Sequence, residues 1–239
     1  MTLPAIVVLV TGDPVSEARA RRGSFVDLLR AAAPAFGTYR WVAHDVREGG
    51  ALPELAREMA VIVTGSALSV TEALPWKEGV SARLRELAHA GVPLLGVCFG
   101  HQLLGHALGG RIGMNPRGRE IGTSAFTLLD DDEVLGARGS FLVNNTHVDS
   151  VLELPPGARV LGHTAREAHA AVRFGAHAWG VQFHPELDGE VLGYYLAARR
   201  ATLVAEGIDV DALQQELRDT PHAAHLVERF LAFASRRLG

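Results

Sequence analysis

Gly96-Val97-Cys98-Phe99-Gly100 has a nucleophile with glycines two residues to either side, directly behind a run of apolar residues. That pattern suits a sharp strand-to-helix elbow, where only glycine fits between closely approaching backbones. A thiol at the elbow stands clear of the sheet, at the amino end of the next helix, where free N–H groups and the helix dipole favour a thiolate. Cys98 is the one cysteine in 239 residues, so an internal disulfide or a cysteine-based zinc site is not expected. A lone cysteine is most often a small buried hydrophobe, and the pattern needs a base beside it. Trp179-Gly180-Val181-Gln182-Phe183-His184-Pro185-Glu186 offers one, an apolar alternating segment ending in His-Pro-Glu. An imidazole there can reach a thiol at the end of a neighbouring strand, and a carboxylate two residues on can hold its tautomer. Cys98, His184 and Glu186 are read as nucleophile, base and orienting carboxylate.

The elements that must position them follow from periodicity. Ile6-Val7-Val8-Leu9-Val10 and Ala60-Val61-Ile62-Val63 are continuous apolar runs, as is Pro93-Leu94-Leu95-Gly96-Val97, and each suits a strand buried on both faces of a parallel sheet. A further strand is expected at residues 39–43, and helices at about 15–33, 76–90, 100–108 and 188–206. Between Ile121 and Val181 the pattern changes to short strands separated by turns, which implies an antiparallel extension of the sheet. Residues 210–238 read as a polar helical segment with a packing stripe through Leu213, Leu217, Leu226, Phe230 and Leu231. The fold class expected is α/β, an open doubly wound, mostly parallel sheet whose ligands bind at the carboxyl ends of strands. Gly65 and Cys98 both lie at such ends.

Composition narrows the function classes. A net charge of −4 removes the phosphate attraction behind most nucleic-acid binding, so no nucleic-acid partner is expected. No apolar run approaches the roughly 20 residues that span a bilayer, and the segment from Met1 to Val10 reads as a first strand without a basic leader. No membrane association and a cytoplasmic location are expected. Eleven histidines include no HExxH pair or other tight ligand spacing, so no metal is expected either.

Gly96-Val97-Cys98-Phe99-Gly100-His101-Gln102 followed by Val181-Gln182-Phe183-His184-Pro185-Glu186 resembles the signature pair of class I glutamine amidotransferases. The resemblance spans about residues 6–196 and includes the Thr64-Gly65-Ser66 loop, where the family has its oxyanion strand. Asn115-Pro116-Arg117-Gly118-Arg119-Glu120-Ile121-Gly122 is similar to stand-alone members related to the amidotransferase domain of GMP synthase. Arg117 and Arg119 read more readily as solvated surface than as anion ligands. The fold implied is flavodoxin-like, with an amidotransferase-like domain over residues 1–198 and a helical C-terminal extension, 199–239, packed on it.

By the resemblance, the backbone N–H groups of Gly65 and Phe99 form the oxyanion hole, and Gln102 touches the glutamyl part of the substrate. Thr146-His147-Val148-Asp149 holds the α-amino and α-carboxylate ends of glutamine. This loop departs from the family's Ser-His-Gly-Asp-like pattern, with Thr146 for serine and Val148 for glycine, and Ser66-Ala67 stands where Gly-Pro is common. The implied reaction is cysteine-dependent hydrolysis of the glutamine γ-amide through a thioester, with no cofactor. The alternatives are a free-standing γ-glutamyl peptidase acting on larger γ-glutamyl small molecules, and a non-catalytic redox or regulatory member. The fold accounts for all 239 residues, so no attached synthetase is expected, and an ammonia acceptor would be a synthetase acting in trans.

Overall fold

In the computed structural model, which describes residues 5–49, 55 and 58–237, the apolar runs form the middle of a nine-stranded sheet. The first four residues of the expected first strand and Leu238 of the last helical segment lie outside the described residues. The strands are β1 (Ile6–Val10), β2 (Trp41–Asp45), β3 (Ala60–Val63), β4 (Leu94–Val97), β5 (Arg111–Met114), β6 (Glu120–Leu128), β7 (Gly139–His147), β8 (Asp149–Glu153), β9 (Arg159–Thr164), β10 (Ala171–Gly175) and β11 (Ala178–Val181). The helices are α1 (Ser16–Arg22), α2 (Phe25–Ala31), α3 (Lys77–His89), α4 (Phe99–Ala107), α5 (Gly189–Ala205), α6 (Val210–Glu216) and α7 (Pro221–Ser235).

The sheet order is β2-β1-β3-β4-β11-β10-β9-β6-β7. The strands from β2 to β11 run parallel, and β10, β9, β6 and β7 add the antiparallel extension. The expected α/β architecture is therefore present, with one rearrangement. Ala178–Val181 does not belong to the antiparallel part alone: it also pairs parallel with β4, Val181 opposite Val97. That placement sets the chain leaving β11 beside the chain leaving β4. β5, which periodicity did not reveal, and β8, which falls within the span expected to extend the main sheet, form a separate two-stranded antiparallel sheet.

The strands alternate between two cores. Ile6, Val8, Ile62, Leu95 and Val97 point to one face, where Leu226, Phe230 and Leu231 of α7 cover them. Val7, Leu9, Val61, Val63 and Leu94 point to the other, under Leu84 and Leu87 of α3 and Leu103 and Leu104 of α4. Phe230 and Phe233 also pack edge-on against Trp179, with centroids 6.3 and 4.9 Å away. Each such side chain contributes about 1.5–3 kcal/mol by leaving water. Residues 221–235 are thus one wall of the sheet's core.

Several boundaries differ from the periodic reading for local reasons. The helix expected over 15–33 breaks at Gly23, whose φ of 87° ends α1, and Ser24 then caps α2 in a reciprocal box with Asp27. The second strand sits at Trp41–Asp45, two residues later than expected. The C-terminal segment is two helices, because Leu217 turns extended and Pro221 opens α7 at its first turn. α5 runs unbroken from Gly189 to Ala205, through the boundary expected at 198.

α4 sits so close to the sheet that its first turn has no room for a side chain. A Cβ on Gly96 would lie 2.4 Å from the Gly100 carbonyl oxygen, and one on Gly100 would lie 2.2 Å from that of Val63. Gly100→Ala should lower the unfolding free energy by about 1–3 kcal/mol, since backbone must move. Gly79 on α3 has open space around it, and Gly79→Ala should be neutral or stabilising by about 0.4–1 kcal/mol. Urea denaturation of both variants tests the packing, and equal effects would contradict it.

Candidate active site

Cys98 is the only described non-glycine residue with positive φ, at φ 52° and ψ −105°. Such a conformation costs on the order of 1–3 kcal/mol and persists only where surroundings over-determine it. Here they do. The Cys98 N–H donates to the Val181 carbonyl at 2.8 Å, the Gly100 N–H donates to the Thr64 carbonyl at 3.1 Å, and the Gln102 N–H donates to the Cys98 carbonyl at 3.1 Å. The turn is tied at once to β11, to the chain leaving β3 and to its own helix. Cys98 keeps 5% of its surface exposed.

Gly65 follows β3 on one side of Cys98. Its carbonyl accepts from the Thr11 hydroxyl at 3.1 Å, and the Thr11 N–H donates to Thr64 Oγ1 at 3.0 Å. The N–H groups of Gly65 and Phe99 form no hydrogen bond among the described residues. A Cβ on Gly65 would lie 2.9 Å from His184 Cε1 and 3.7 Å from Cys98 Cβ, so this glycine, the imidazole and the cysteine share one small space.

His184 follows β11 on the other side. Its N–H donates to the Asn144 carbonyl of β7 at 2.8 Å, and Asn144 Nδ2 donates to the Leu187 carbonyl at 2.8 Å, which fastens the His-Pro-Glu segment to the sheet. His184 Nδ1 donates to Glu186 Oε1 at 2.8 Å, and both side chains are buried, with residue exposures of 3% and 7%. Phe25 of α2 stacks on the imidazole at 6.4 Å and 18°. Burial is the largest influence on the ring and opposes its charge. The Glu186 carboxylate, the nearby Cys98 sulfur and the hydrogen bond to Glu186 outweigh burial and push the imidazole up to about 10. A ring so held stays protonated at neutral pH, and its Nδ1 is committed to the carboxylate.

The remaining expected residues line one cavity of about 520 Å³ that opens onto Cys98. Gln102 is buried, with Nε2 donating to the Asp149 carbonyl at 2.8 Å and to Gln182 Oε1 at 3.0 Å. His147 Nε2 donates to Glu120 Oε2 at 3.2 Å, and its Nδ1 lies 3.1 Å from the Asp149 carbonyl. Val148 accepts from the Asn115 N–H at 2.9 Å, and the Asp149 carboxylate accepts from the Ser69 hydroxyl. The Thr146 hydroxyl accepts from Arg199. Cys98, His184, Glu186, Gly65 and Phe99 thus meet at one point, and Gln102 and residues 146–149 form an adjoining wall.

Sequence reasoning missed what lies behind that wall. Glu120 of β6 is buried and also accepts from the Thr164 hydroxyl at 2.9 Å and the Ser124 hydroxyl at 3.1 Å. Thr11, Ser69 and Arg199 were likewise unmarked; a carboxylate amid polar residues of an alternating strand was the one available hint, for Glu120. Arg117 is exposed and its Nη1 donates to the Ala165 carbonyl, in keeping with its surface reading, whereas Arg119 is half-buried, tied to Glu206 through two hydrogen bonds of 2.8 and 2.9 Å, and lines the cavity. His101, inside the cysteine motif, is a core residue whose burial pushes it down to about 3, packed on Phe174 at 5.4 Å. No cluster of potential metal ligands exists among the described residues, and no described helix is long and apolar enough to cross a membrane.

The sign of the His184 effect fixes a test. Its folded value lies above the unfolded 6.5, so its stabilisation is fully present below about pH 6.5 and is lost as pH rises through about 10. NMR titration of the imidazole should give a midpoint near 10 in the parent and a clearly lower one in Glu186→Gln. An unchanged midpoint in that variant would remove Glu186 as the partner.

The sequence comparisons bear on the same residues. The model for "Glutamine amidotransferase class-I" matches residues 41–201, a span that contains Cys98, His184 and Glu186. The chain is 36% identical over 138 residues to a glutamine-hydrolyzing GMP synthase subunit of Saccharolobus solfataricus, covering 56% of this chain and 70% of that protein. It is 32% identical over 193 residues to the glutamine-hydrolyzing GMP synthase of Synechocystis sp., covering 80% of this chain and only 32% of the relative's length. Among solved structures, a glutamine amido transferase from Methylobacillus flagellatus superposes with a TM-score of 0.75 over 99% of this chain and 95% of that one, at 20% identity, which is a likeness of fold. With the family model matching well over half of its length, this chain belongs to the class I glutamine amidotransferase family.

Proposed function

We propose that this protein hydrolyses the γ-amide of glutamine through a thioester on Cys98. The observation that carries the reading is the meeting of a strained Cys98, a His184 locked to Glu186 and two unengaged N–H groups in one enclosed space. A protonated imidazole beside the sulfur supplies the counter-charge of a thiolate. The thiolate attacks the γ-carbonyl carbon, and the oxygen that takes up the negative charge is received by the N–H groups of Gly65 and Phe99. Backbone donors cannot turn away from that charge, and losing one such donor typically costs about 10²–10³ in rate. His184 then gives its proton to the nitrogen as the C–N bond breaks, and ammonia leaves. The neutral ring takes a proton from water, hydroxide attacks the thioester carbon, the C–S bond breaks, and glutamate and thiolate are restored. Glu186 keeps the ring oriented throughout and does not itself react.

The relatives named GMP synthase support an ammonia-accepting synthetase in trans, because the matched part of the Synechocystis protein is 32% of its length. Ser66, Thr146 and Val148, where the chain departs from the family pattern, all line the cavity and bear on substrate size, while the nucleophile, base and oxyanion segments keep the amidotransferase pattern and favour glutamine.

Purified protein incubated with glutamine, and separately with γ-glutamyl dipeptides, should release glutamate faster from glutamine. Cys98→Ala should abolish release, His184→Ala should cost about 10²–10⁴ in rate, and Glu186→Gln should cost less. Full hydrolysis by Cys98→Ala would sink the thiolate mechanism. Dipeptides consumed much faster than glutamine would replace the substrate by a larger γ-glutamyl compound.

A further inference from the structure

Arg199 projects from α5 into the cavity that Cys98 opens on. Its Nη1 donates to the Thr146 hydroxyl, and its guanidinium carbon lies 5.1 Å from the centre of the Tyr195 ring. Among the described residues no carboxylate pairs with it. The other arginine lining this cavity is different: Arg119 is matched in full by the two oxygens of Glu206. Burial holds the ionisation of Arg199 below the ordinary guanidinium range, and the nearby Tyr195 and Cys98 act the other way. A guanidinium nevertheless stays charged in a protein. One wall of the cavity therefore carries a half-buried cation with one neutral acceptor and four N–H donors to spare.

The neighbours of this cation say what kind of anion fits. Thr146, which anchors Arg199, opens the segment that ends at Asp149, and the Asp149 carboxylate lines the same cavity with a single hydroxyl donor, Ser69. A cation and a carboxylate lining one cavity complement a carbon that bears both a carboxylate and an ammonium group. In a γ-glutamyl compound that carbon is the α-carbon, and it lies at the far end of the molecule from the amide that Cys98 attacks. The leaving amine departs on the other side, toward His184. Planar guanidinium donors also match a carboxylate in a way that an ammonium would not.

We infer that Arg199 is a specificity-determining residue that binds the α-carboxylate of the γ-glutamyl substrate, beside the Asp149 that the family resemblance already sets at that end of the molecule. The assignment rests on the proposed glutamine chemistry and adds a ligand from the helix behind the His-Pro-Glu segment. Arg199→Met removes the donors and keeps a long side chain over Tyr195, and Arg199→Lys keeps the charge without the fork.

Because Cys98 is the one cysteine in the chain, its alkylation reads the site without turnover. Two reagents are compared: a chloroketone analogue of glutamine that retains the α-amino and α-carboxylate groups, and iodoacetamide, which has neither. In the parent protein the analogue should react faster. In Arg199→Met its rate relative to iodoacetamide should fall about 10- to 100-fold, the loss expected for a hydrogen-bonded charge pair, and Arg199→Lys should recover part of it. In hydrolysis, the ratio of kcat/KM for glutamine to that for 4-aminobutanamide, which is glutamine without its α-carboxylate, should fall by a similar factor, mainly through KM.

A parent protein that does not prefer the glutamine analogue would overturn the glutamine reading itself. A clear parental preference that Arg199→Met leaves intact would overturn only the Arg199 assignment. A fall shared equally by both reagents would also overturn it, as a general disturbance of the site. Discrimination lost between γ-glutamylglycine and γ-glutamylmethylamide, but kept between glutamine and 4-aminobutanamide, would move Arg199 to a leaving-group carboxylate and refute the α-carboxylate placement.

Discussion

β4 lies between β3 and β11, and all three strands point the same way. Hydrogen-bonded strands are about 4.8 Å apart, so whatever leaves the carboxyl ends of these three is held within reach of a single small molecule. Gly65 leaves β3, Cys98 leaves β4, and the His-Pro-Glu segment leaves β11. None of these residues would find another without that order. The cost is at the turn after β4, where α4 must begin at once and against the sheet. Gly96 and Gly100 give up their side chains to allow it, and Cys98 accepts a left-handed backbone held by Val181.

The antiparallel extension has a different task. β7 carries Thr146 to the cavity that Cys98 lines, and the buried carboxylate of Glu120 on the neighbouring β6 gathers His147, Thr164 and Ser124 around itself. Removing a carboxylate from water is costly unless several donors meet it, and three do. The network fixes the chain direction through residues 146–149, and Gln102 closes it from α4. Gln102, Thr146 and Arg199 are presented to the cavity from α4, β7 and α5, and residues 66–69, 71 and 72 reach it from the irregular segment after β3.

Much of this was readable in the sequence because it is local. The buried parallel strands show as unbroken apolar runs, the elbow as two glycines at fixed offsets from Cys98, and the buried imidazole and its carboxylate partner as neighbours in His184-Pro185-Glu186. The pairing of β11 with β4 was not readable, since a four-residue apolar segment looks the same in a parallel or an antiparallel setting. Arg199 and Thr146 are distant in sequence, and an arginine on a helix gives no sign of whether it meets water or a cavity. Glu120 is similar: one acidic residue in an alternating strand reads as solvent-facing until the opposite strands are placed. The helix breaks at Gly23 and Pro221 carried visible punctuation, but the apolar stripes on either side continue in phase and conceal them.

The solitary thiol at the elbow has a redox consequence. A cysteine oxidised to the sulfenic acid is ordinarily returned by condensation with a second thiol followed by reduction. This chain holds no second thiol, and the sulfur keeps only a narrow opening to solvent. Repair of Cys98 therefore depends on a reductant small enough to pass the same wall that admits substrate. An oxidation that proceeds to the sulfinic or sulfonic stage leaves a permanent negative charge beside His184, and the molecule is lost.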